Sequence, residues 1–473
     1  MNEINVSMLA PLLPEVIMAS AGILVLLVEL VARRKETAGL LSIAAVAVAA
    51  YYVPHSFGKS FGGMFVSDGY SAFFKFIFFI NLILTVLLSM RYLVIEKSNH
   101  GEYYSLVVFS TLGMMLMASA GDLIVLYLGL ELMALSSYVL AGFIRHDARS
   151  SEAAVKYFLL GAFSSALLLY GITLVYGLTG TTDVSLIGAA VVEKGLSTPL
   201  FLSVVFLMAA FGFKTALAPF HMWAPDVYEG APTSVTAFMS VGPKAAAFAA
   251  FGRVFLTGFG SLSTDWTGIL VVLSILTMAV GNILAIQQDN IKRMLAYSSV
   301  AHAGYAVLGI IVGGAEGLAA MMNYLFIYGF MNLGAFAVVI MLRSEGVRGE
   351  ALEDYKGLAK THPFAAAVML VFMFSLTGIP PTAGFIGKFY LFKAVVGAGY
   401  AWLAVVTVIF SAISAYFYLR VVMYMYMLEP EGEAVTLSLS PSLGLALLIT
   451  TLVVILIGVY PSPLLSFARL AAG

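Results

Sequence analysis

Glu131, Lys214, Lys244 and Lys388 each stand near the middle of a long apolar stretch. A charge at the centre of a bilayer costs roughly 2.5–3.5 kcal/mol even on a lenient insertion scale. A fixed ion pair that only joins two helices would explain one lysine beside Glu131, but three amines against one carboxylate do not balance. Such groups persist where they face one another or water, and they mark ion or proton pathways by default. Desolvation disfavours the charged form of an amine, so lysines in this setting can release and regain protons near neutral pH. His302, in AYSSVAHAGYAVLG, lies among Ser298, Ser299 and Tyr305. It reads either as a core histidine bonded to a neighbouring hydroxyl or as a relay between two lysines, since imidazole titrates in the useful range. His221, in LAPFHMWAPDVYEG, is a second candidate relay or a loop cap. Lys156 sits early in another apolar stretch.

Other chemistries are excluded or unsupported. Cys is absent, which removes thiolate-held iron–sulfur clusters, disulfides and cysteine nucleophiles. No two of the six His fall at a metal-ligand spacing on one helix. No GxGxxG follows a strand and no phosphate-binding glycine loop is present. The chain is therefore expected to hold no redox centre, metal or cofactor of its own. It has no basic tail or stripe suited to nucleic acid.

The elements that must position these residues are membrane helices. The chain of 473 residues is 61% hydrophobic and 10% charged, against about 45–50% and about 25% in soluble domains. So few charges cannot cover a water-facing surface. With about 20 apolar residues per crossing, fourteen spans are expected, centred near Leu24, Val46, Ile80, Met114, Ser136, Leu167, Leu207, Ala246, Leu276, Ala306, Gly329, Phe374, Ile413 and Ile449. The first apolar run ends in Arg33, Arg34 and Lys35, unlike a cleavable signal, and reads as a retained first span. Loops on that side also hold Arg91, Lys97, Arg145, Arg149, Lys292, Arg293, Arg343, Arg348, Lys356 and Lys360, whereas the other side holds Lys59, Lys194, Arg253 and Arg469. The positive-inside rule places the first set in the cytoplasm and both termini outside, which needs an even number of spans. Lys75, Lys393 and Arg420 lie near helix ends and are expected to snorkel.

Two spans are interrupted. Pro219 and Pro225 break the seventh just after Lys214, and Pro380, Pro381, Gly378 and Gly384 break the twelfth just before Lys388. Proline removes a backbone donor, and irregular backbone at membrane depth survives only inside protein or beside water. From Pro219 to Pro381 is 162 residues, about five spans, and an odd span number per copy makes the repeat inverted. The expected architecture is an all-α polytopic membrane protein: three helices (residues 1–103), two inverted five-helix repeats (104–257 and 258–428), and a last helix (429–473). Gly113, Gly129, Gly161 and Gly171 are expected to allow close helix contact. Trp223, Trp266 and Trp402 are expected at the membrane interfaces.

These stretches resemble the antiporter-like membrane subunits of respiratory complex I and the related Mrp-type sodium/proton antiporter subunits. The resemblance runs from about Leu106 to Val422. It rests on LIVLYLGLELMALSSYVLAGF, SEAAVKYFLLGAFSSALLLYG, GFKTALAPFHMWAPDVYEGAPTSVTAFMSVGPKAAAF, QDNIKRMLAYSSVAHAGY and LTGIPPTAGFIGKFYLF. M-type members of complex I typically place Glu where this chain has Lys388, and L-type members carry a long C-terminal extension. Mrp-type D subunits also use Lys there, but GIPPTAGFIGKFYLF and AYSSVAHAGY look more like the remaining complex I branch. The resemblance implies proton translocation driven by quinone reduction in other subunits. It implies that Glu131 pairs with Lys214, that Lys156 supports the pair, that Lys244 passes the proton on with His302 on its route, and that Lys388 faces the exit. The implied partners are the neighbouring membrane-arm subunits and the lipid bilayer, in the bacterial cell membrane. The alternative is a cation/proton antiporter subunit without redox coupling.

Overall fold

All fourteen expected centres fall in helices of the computed structural model, which describes residues 9–31, 35–343, 348–430 and 437–473. Arg33 and Arg34 of the charge count lie outside the described residues. In chain order the helices are α1 (Leu13–Val31), α2 (Glu36–Tyr52), α3 (Gly69–Ile95), α4 (Glu102–Ser119), α5 (Leu123–Ala141), α6 (Ala148–Thr179), α7 (Val184–Lys194), α8 (Thr198–Thr215), α9 (Trp223–Gly230) and α10 (Thr233–Arg253). They continue as α11 (Ser263–Ile286), α12 (Ile291–Ala306), α13 (Leu308–Val312), α14 (Gly314–Met341), α15 (Leu358–Thr361), α16 (Pro363–Thr377), α17 (Ala383–Gly397), α18 (Ala401–Met427), α19 (Pro441–Val459) and α20 (Ser462–Ala472). Twelve spans among the described residues are long and apolar enough to cross a membrane. The remaining two of the fourteen are α4, diluted by Glu102, two tyrosines and several hydroxyls, and the broken α16–α17. The strands β1 (Gly58–Ser60) and β2 (Phe65–Ser67) form a small antiparallel hairpin before α3. That hairpin and the short α7 and α20 were not expected.

The loop charges sort onto two faces as the alternation of spans requires. On the basic face Glu350 accepts from Lys292 at 3.1 Å and Arg149 at 3.5 Å, Arg343 pairs with Glu96 at 2.6 Å, and Arg348 with Asp147 at 3.5 Å. On the opposite face Arg253 pairs with Asp68 at 2.8 Å. There Asp68 also caps α3 by accepting from the Ser71 N–H at 2.8 Å. Burial pushes the Asp68 carboxyl up, but the bonds from Arg253 and Ser71 outweigh it and hold the group below its ordinary range. Pro11 packs by Gly58 of the hairpin and Ala471 by Gly69, so both described ends reach this same face.

The two broken spans run in opposite directions. α8–α9 leads from the opposite face to the basic face, where Ala231 O accepts from Lys292 at 2.9 Å. α16–α17 starts at the basic end, near the Gly357 N–H bonded to Tyr424 O, and finishes by Tyr400 on the opposite face. The repeat is therefore inverted in space. The interior helices are α10, α12 and α14, with 89–100% of their spans buried. α1, α2, α18 and α19 form the apolar perimeter, with 28–39% of their spans buried.

The glycines behave as expected where helices cross. A Cβ on Gly113 would lie 2.6 Å from Gly129 O, and one on Gly129 would lie 3.0 Å from Gly113 O, so α4 and α5 meet backbone to backbone. Gly161 of α6 leaves the space that the Tyr138 hydroxyl fills. Two of the three tryptophans depart from the interfacial expectation. Trp223 and Trp266 are buried, their indole N–H groups donating to Phe213 O and Phe259 O at 2.9 Å, while Trp402 is exposed. Each sits next to a chain break whose freed carbonyl needs a donor, and an aromatic near a sequence break cannot be distinguished from one in a lipid belt.

Candidate functional site

Lys244 sits on α10 immediately after Pro243. Proline cannot donate to the carbonyl one turn back, which is Met239 O, and the Tyr228 hydroxyl donates to it at 3.2 Å. The Tyr228 ring is thereby held 5.7 Å from Lys244 Nζ. Lys244 is 3% exposed. It donates to Ser299 O at 2.9 Å and also to the Ser299 hydroxyl.

Ser298, Ser299 and His302 lie within about one turn of α12. His302 is buried, with Nδ1 at 2.5 Å from the Tyr324 hydroxyl and Nε2 at 3.1 Å from the Tyr418 hydroxyl, which also bonds Ser298. Tyr328 packs on the ring at 4.9 Å between centroids. With a hydroxyl on each nitrogen, the imidazole can take a proton on one side and release it on the other.

Lys388 begins the far half of the second broken span. α16 ends at Gly378 with φ +92°, and its last free carbonyls, Leu376 O and Thr377 O, accept from Lys388 Nζ at 3.0 and 2.8 Å. A helix C-terminus is a natural seat for a cation. Ser411 on α18 accepts at 2.9 Å, and the Tyr305 ring lies at 5.3 Å. A Cβ at Gly378 would meet Lys388 Cδ at 3.0 Å. Gly378→Ala is therefore expected to cost about 1–3 kcal/mol of strain and to lower turnover, checked by the unfolding midpoint and activity of the assembled protein.

Lys214 ends α8, buried, and donates to the Tyr138 hydroxyl at 3.3 Å. The expected pair with Glu131 is not a contact: no ion pair within 4 Å joins them. Glu131 lies two turns back on α5 from Tyr138, half-buried, with Oε1 unpartnered, and acts on Lys214 only electrostatically. Tyr138 fills the gap because Gly161 lets its ring lie between α5 and α6. From Tyr138 an aromatic file continues through Tyr157 at 4.7 Å, Trp223 at 4.6 Å and Tyr228 at 5.7 Å to Lys244. The structure thus brings Lys214, Lys244, His302 and Lys388 into one line, with tyrosines between them.

Lys156 forms no ion pair with Glu131. Its side chain is 43% exposed, and its Nζ pairs with Glu152 at 2.8 Å and Asp226 at 2.9 Å. Asp226 also receives Arg293 at 2.8 Å, and Arg293 holds Glu229 at 2.7 Å. This cluster clamps the eight-residue α9 between α6 and α12. Exposed pairs contribute little stability, so Asp226→Asn is expected to leave assembly intact. It should cut turnover severalfold by loosening α9, which carries Trp223 and Tyr228, with Asp226→Glu restoring activity; steady-state assays of the three forms check this. His221 lies in the break, half-exposed with Nδ1 unpartnered, and bonds to neither Lys214 nor Lys244.

Three features escaped the sequence reading. Asp226 directly follows Pro225 in the broken stretch, where an acidic residue reads as part of a loop. Tyr324 and Tyr418 come from helices distant in sequence from His302, so no local motif announces them. Lys75, expected to snorkel, is fully buried and pairs with Glu15 at 2.7 Å beneath the Phe65 ring at 5.3 Å. The β1–β2 hairpin covers the lysine and denies it a route to water.

A fourteen-span inverted-repeat bundle with buried amines on a common line is the architecture of antiporter-like, ion-translocating membrane subunits. Residues 120–414 match the family described as "NADH:quinone oxidoreductase/Mrp antiporter, TM". The chain is 47% identical over 467 residues, covering 97% of itself and 96% of its relative, to NADH-quinone oxidoreductase subunit N of Trichlorobacter lovleyi. It superposes on a chain of respiratory complex I from Thermus thermophilus with a TM-score of 0.82 at 34% identity, covering 96% of this chain and 99% of that one. A chain of the Mrp complex from a Dietzia species gives a TM-score of 0.84 at 24% identity over 99% and 97% of the two chains, a likeness of fold alone. The chain belongs to the NADH-quinone oxidoreductase subunit N family. Among the described residues no cluster of His, Asp or Glu could hold a metal ion.

Proposed function

We propose that this chain is the proton-translocating subunit N of a bacterial complex I, moving protons along Lys214, Lys244, His302 and Lys388 while electrons pass from NADH to quinone in other subunits. The observation that carries this reading is the row of buried amines and imidazole, each bonded to a hydroxyl of its own, in a chain nearly half identical to subunit N. Glu131 tunes Lys214 from a distance, Tyr138 mediates between them, and Lys156 acts by holding α9. Lys388, at the far end of the line, is the exit group. The repeats span residues 104–257 and 258–428, the basic face is cytoplasmic, and both termini face outward from the inner membrane. The chain carries no redox centre.

The Mrp-type alternative shares the fold, so the assembly decides between them. Purification through a tag on this chain should bring down flavin and iron–sulfur subunits, and vesicles holding the complex should acidify on addition of NADH. Recovery with antiporter subunits only, together with sodium-dependent proton exchange that ignores NADH, would reject the redox-coupled reading.

A further inference from the structure

On the opposite face, a cleft of about 390 Å³ lies between α14, α17 and α20. Its rim carries Lys393 and Arg469, and neither has an ion-pair partner within 4 Å among the described residues. One carboxylate, Glu316, shares the rim, so the mouth is net positive. Asn323 lines the cleft at 3% exposure with Oδ1 unpartnered. Such a group normally finds a partner when buried. Ala319 and Ala320 keep the wall on α14 low.

α20 supplies a third, independent feature. It is a short amphipathic helix that buries Leu464, Leu465 and Ala468 against the bundle while Phe467 is 40% and Leu470 82% exposed. An apolar ridge beside a basic residue at the end of a membrane bundle suits the headgroup and acyl boundary. Unpaired basic residues near that level attract anionic lipid.

We propose that this cleft binds an anionic phospholipid, its phosphate at Lys393 and Arg469, its polar glycerol region above Asn323, and a chain along the alanines of α14. Charge complementarity selects the anionic class over a zwitterionic lipid, and the exposed apolar ridge selects a lipid over a free anion.

The test uses the assembled complex in phosphatidylcholine nanodiscs doped with a photoactivatable phosphatidylglycerol. Labelling should fall on the α14 and α20 peptides. In Lys393→Gln/Arg469→Gln it should require about thirtyfold more phosphatidylglycerol, from two basic residues at roughly fivefold each. Lys393→Arg/Arg469→Lys should retain labelling, and Lys59→Gln, a basic residue elsewhere on the same face, should not change it. Equal labelling by a phosphatidylcholine probe would reduce the site to bulk lipid. Full competition by inorganic phosphate would make it a free-anion site. No labelling of the assembled complex would mean a neighbouring subunit fills the cleft. Each of these three results overturns the proposal without touching the proton-pumping assignment, which NADH-driven acidification of the same preparation reports separately.

Discussion

Lys244→Met is expected to reduce NADH-driven proton pumping and quinone-coupled turnover by about a hundredfold, the scale of losing a positioned proton-transfer group, while the complex assembles normally. The separation of the two effects follows from the surroundings. Among the described residues no carboxylate lies within 4 Å of Lys244, and its partners are Ser299 O, the Ser299 hydroxyl and the Tyr228 ring. Removing an amine from such a place abolishes its desolvation cost as well as its bonds, and apolar replacements of buried charge are often neutral in stability. The Ser299 hydroxyl can turn to another acceptor. Electron transfer from NADH to a soluble acceptor, which bypasses quinone, should stay at the parental rate and provides the control. Pumping at the parental rate in an assembled complex would remove Lys244 from the path.

The second large effect concerns stability rather than transport. Glu15→Gln or Lys75→Met alone is expected to destabilise the protein by about 3–5 kcal/mol, because each leaves an uncompensated buried charge. Glu15→Leu combined with Lys75→Met should recover most of that loss, since hydrophobic replacement of a whole buried pair is often neutral. The pair joins α1, a perimeter helix with 39% of its span buried, to α3, with 83% buried. Its value is registry: few other polar contacts fix how far α1 slides along α3 and α4. A double-mutant cycle on the unfolding midpoint of the solubilised complex measures the coupling. Simple additivity of the single effects would show that the two charges do not depend on one another.

The repeat relates backbones and leaves the chemistry asymmetric. At the 162-residue offset, Lys388 takes the register of Asp226, and Lys214 takes that of Leu376. In the first repeat the lysine precedes the break and meets a tyrosine. In the second it follows the break and takes the carbonyls of the preceding half-helix. An inverted scaffold with unlike groups gives the line two different ends, which a directional path requires.

Much of this was legible in the sequence because membrane helices are long and their polar exceptions are few. The fourteen centres, both breaks, the inverted repeat and the buried Lys214, Lys244, His302 and Lys388 all follow from apolar length and the placement of proline and charge. What could not be read was lateral position. Lys75 lies near the start of α3, where a lysine ordinarily reaches water, but Glu15 of α1 and Phe65 of the hairpin lie against it and it is fully buried. Lys156 lies at a similar depth on α6 and does reach a wet cluster. The two look alike along the chain and differ only in what packs beside them. Glu131 and Lys214 share a region but not a contact, because Tyr138 enters through the gap left by Gly161. Tyr418 reaches His302 from a helix 116 residues away, a distance no local pattern spans.

Proton transfer along this row requires that the buried amines share a hydrated path. A density map of the assembled complex, at a resolution that shows individual waters, should reveal ordered water linking Lys214, Tyr228, Lys244, His302 and Lys388 into a nearly unbroken file. A map of equal quality with closely packed apolar side chains and no water between Lys244 and Lys388 would contradict it.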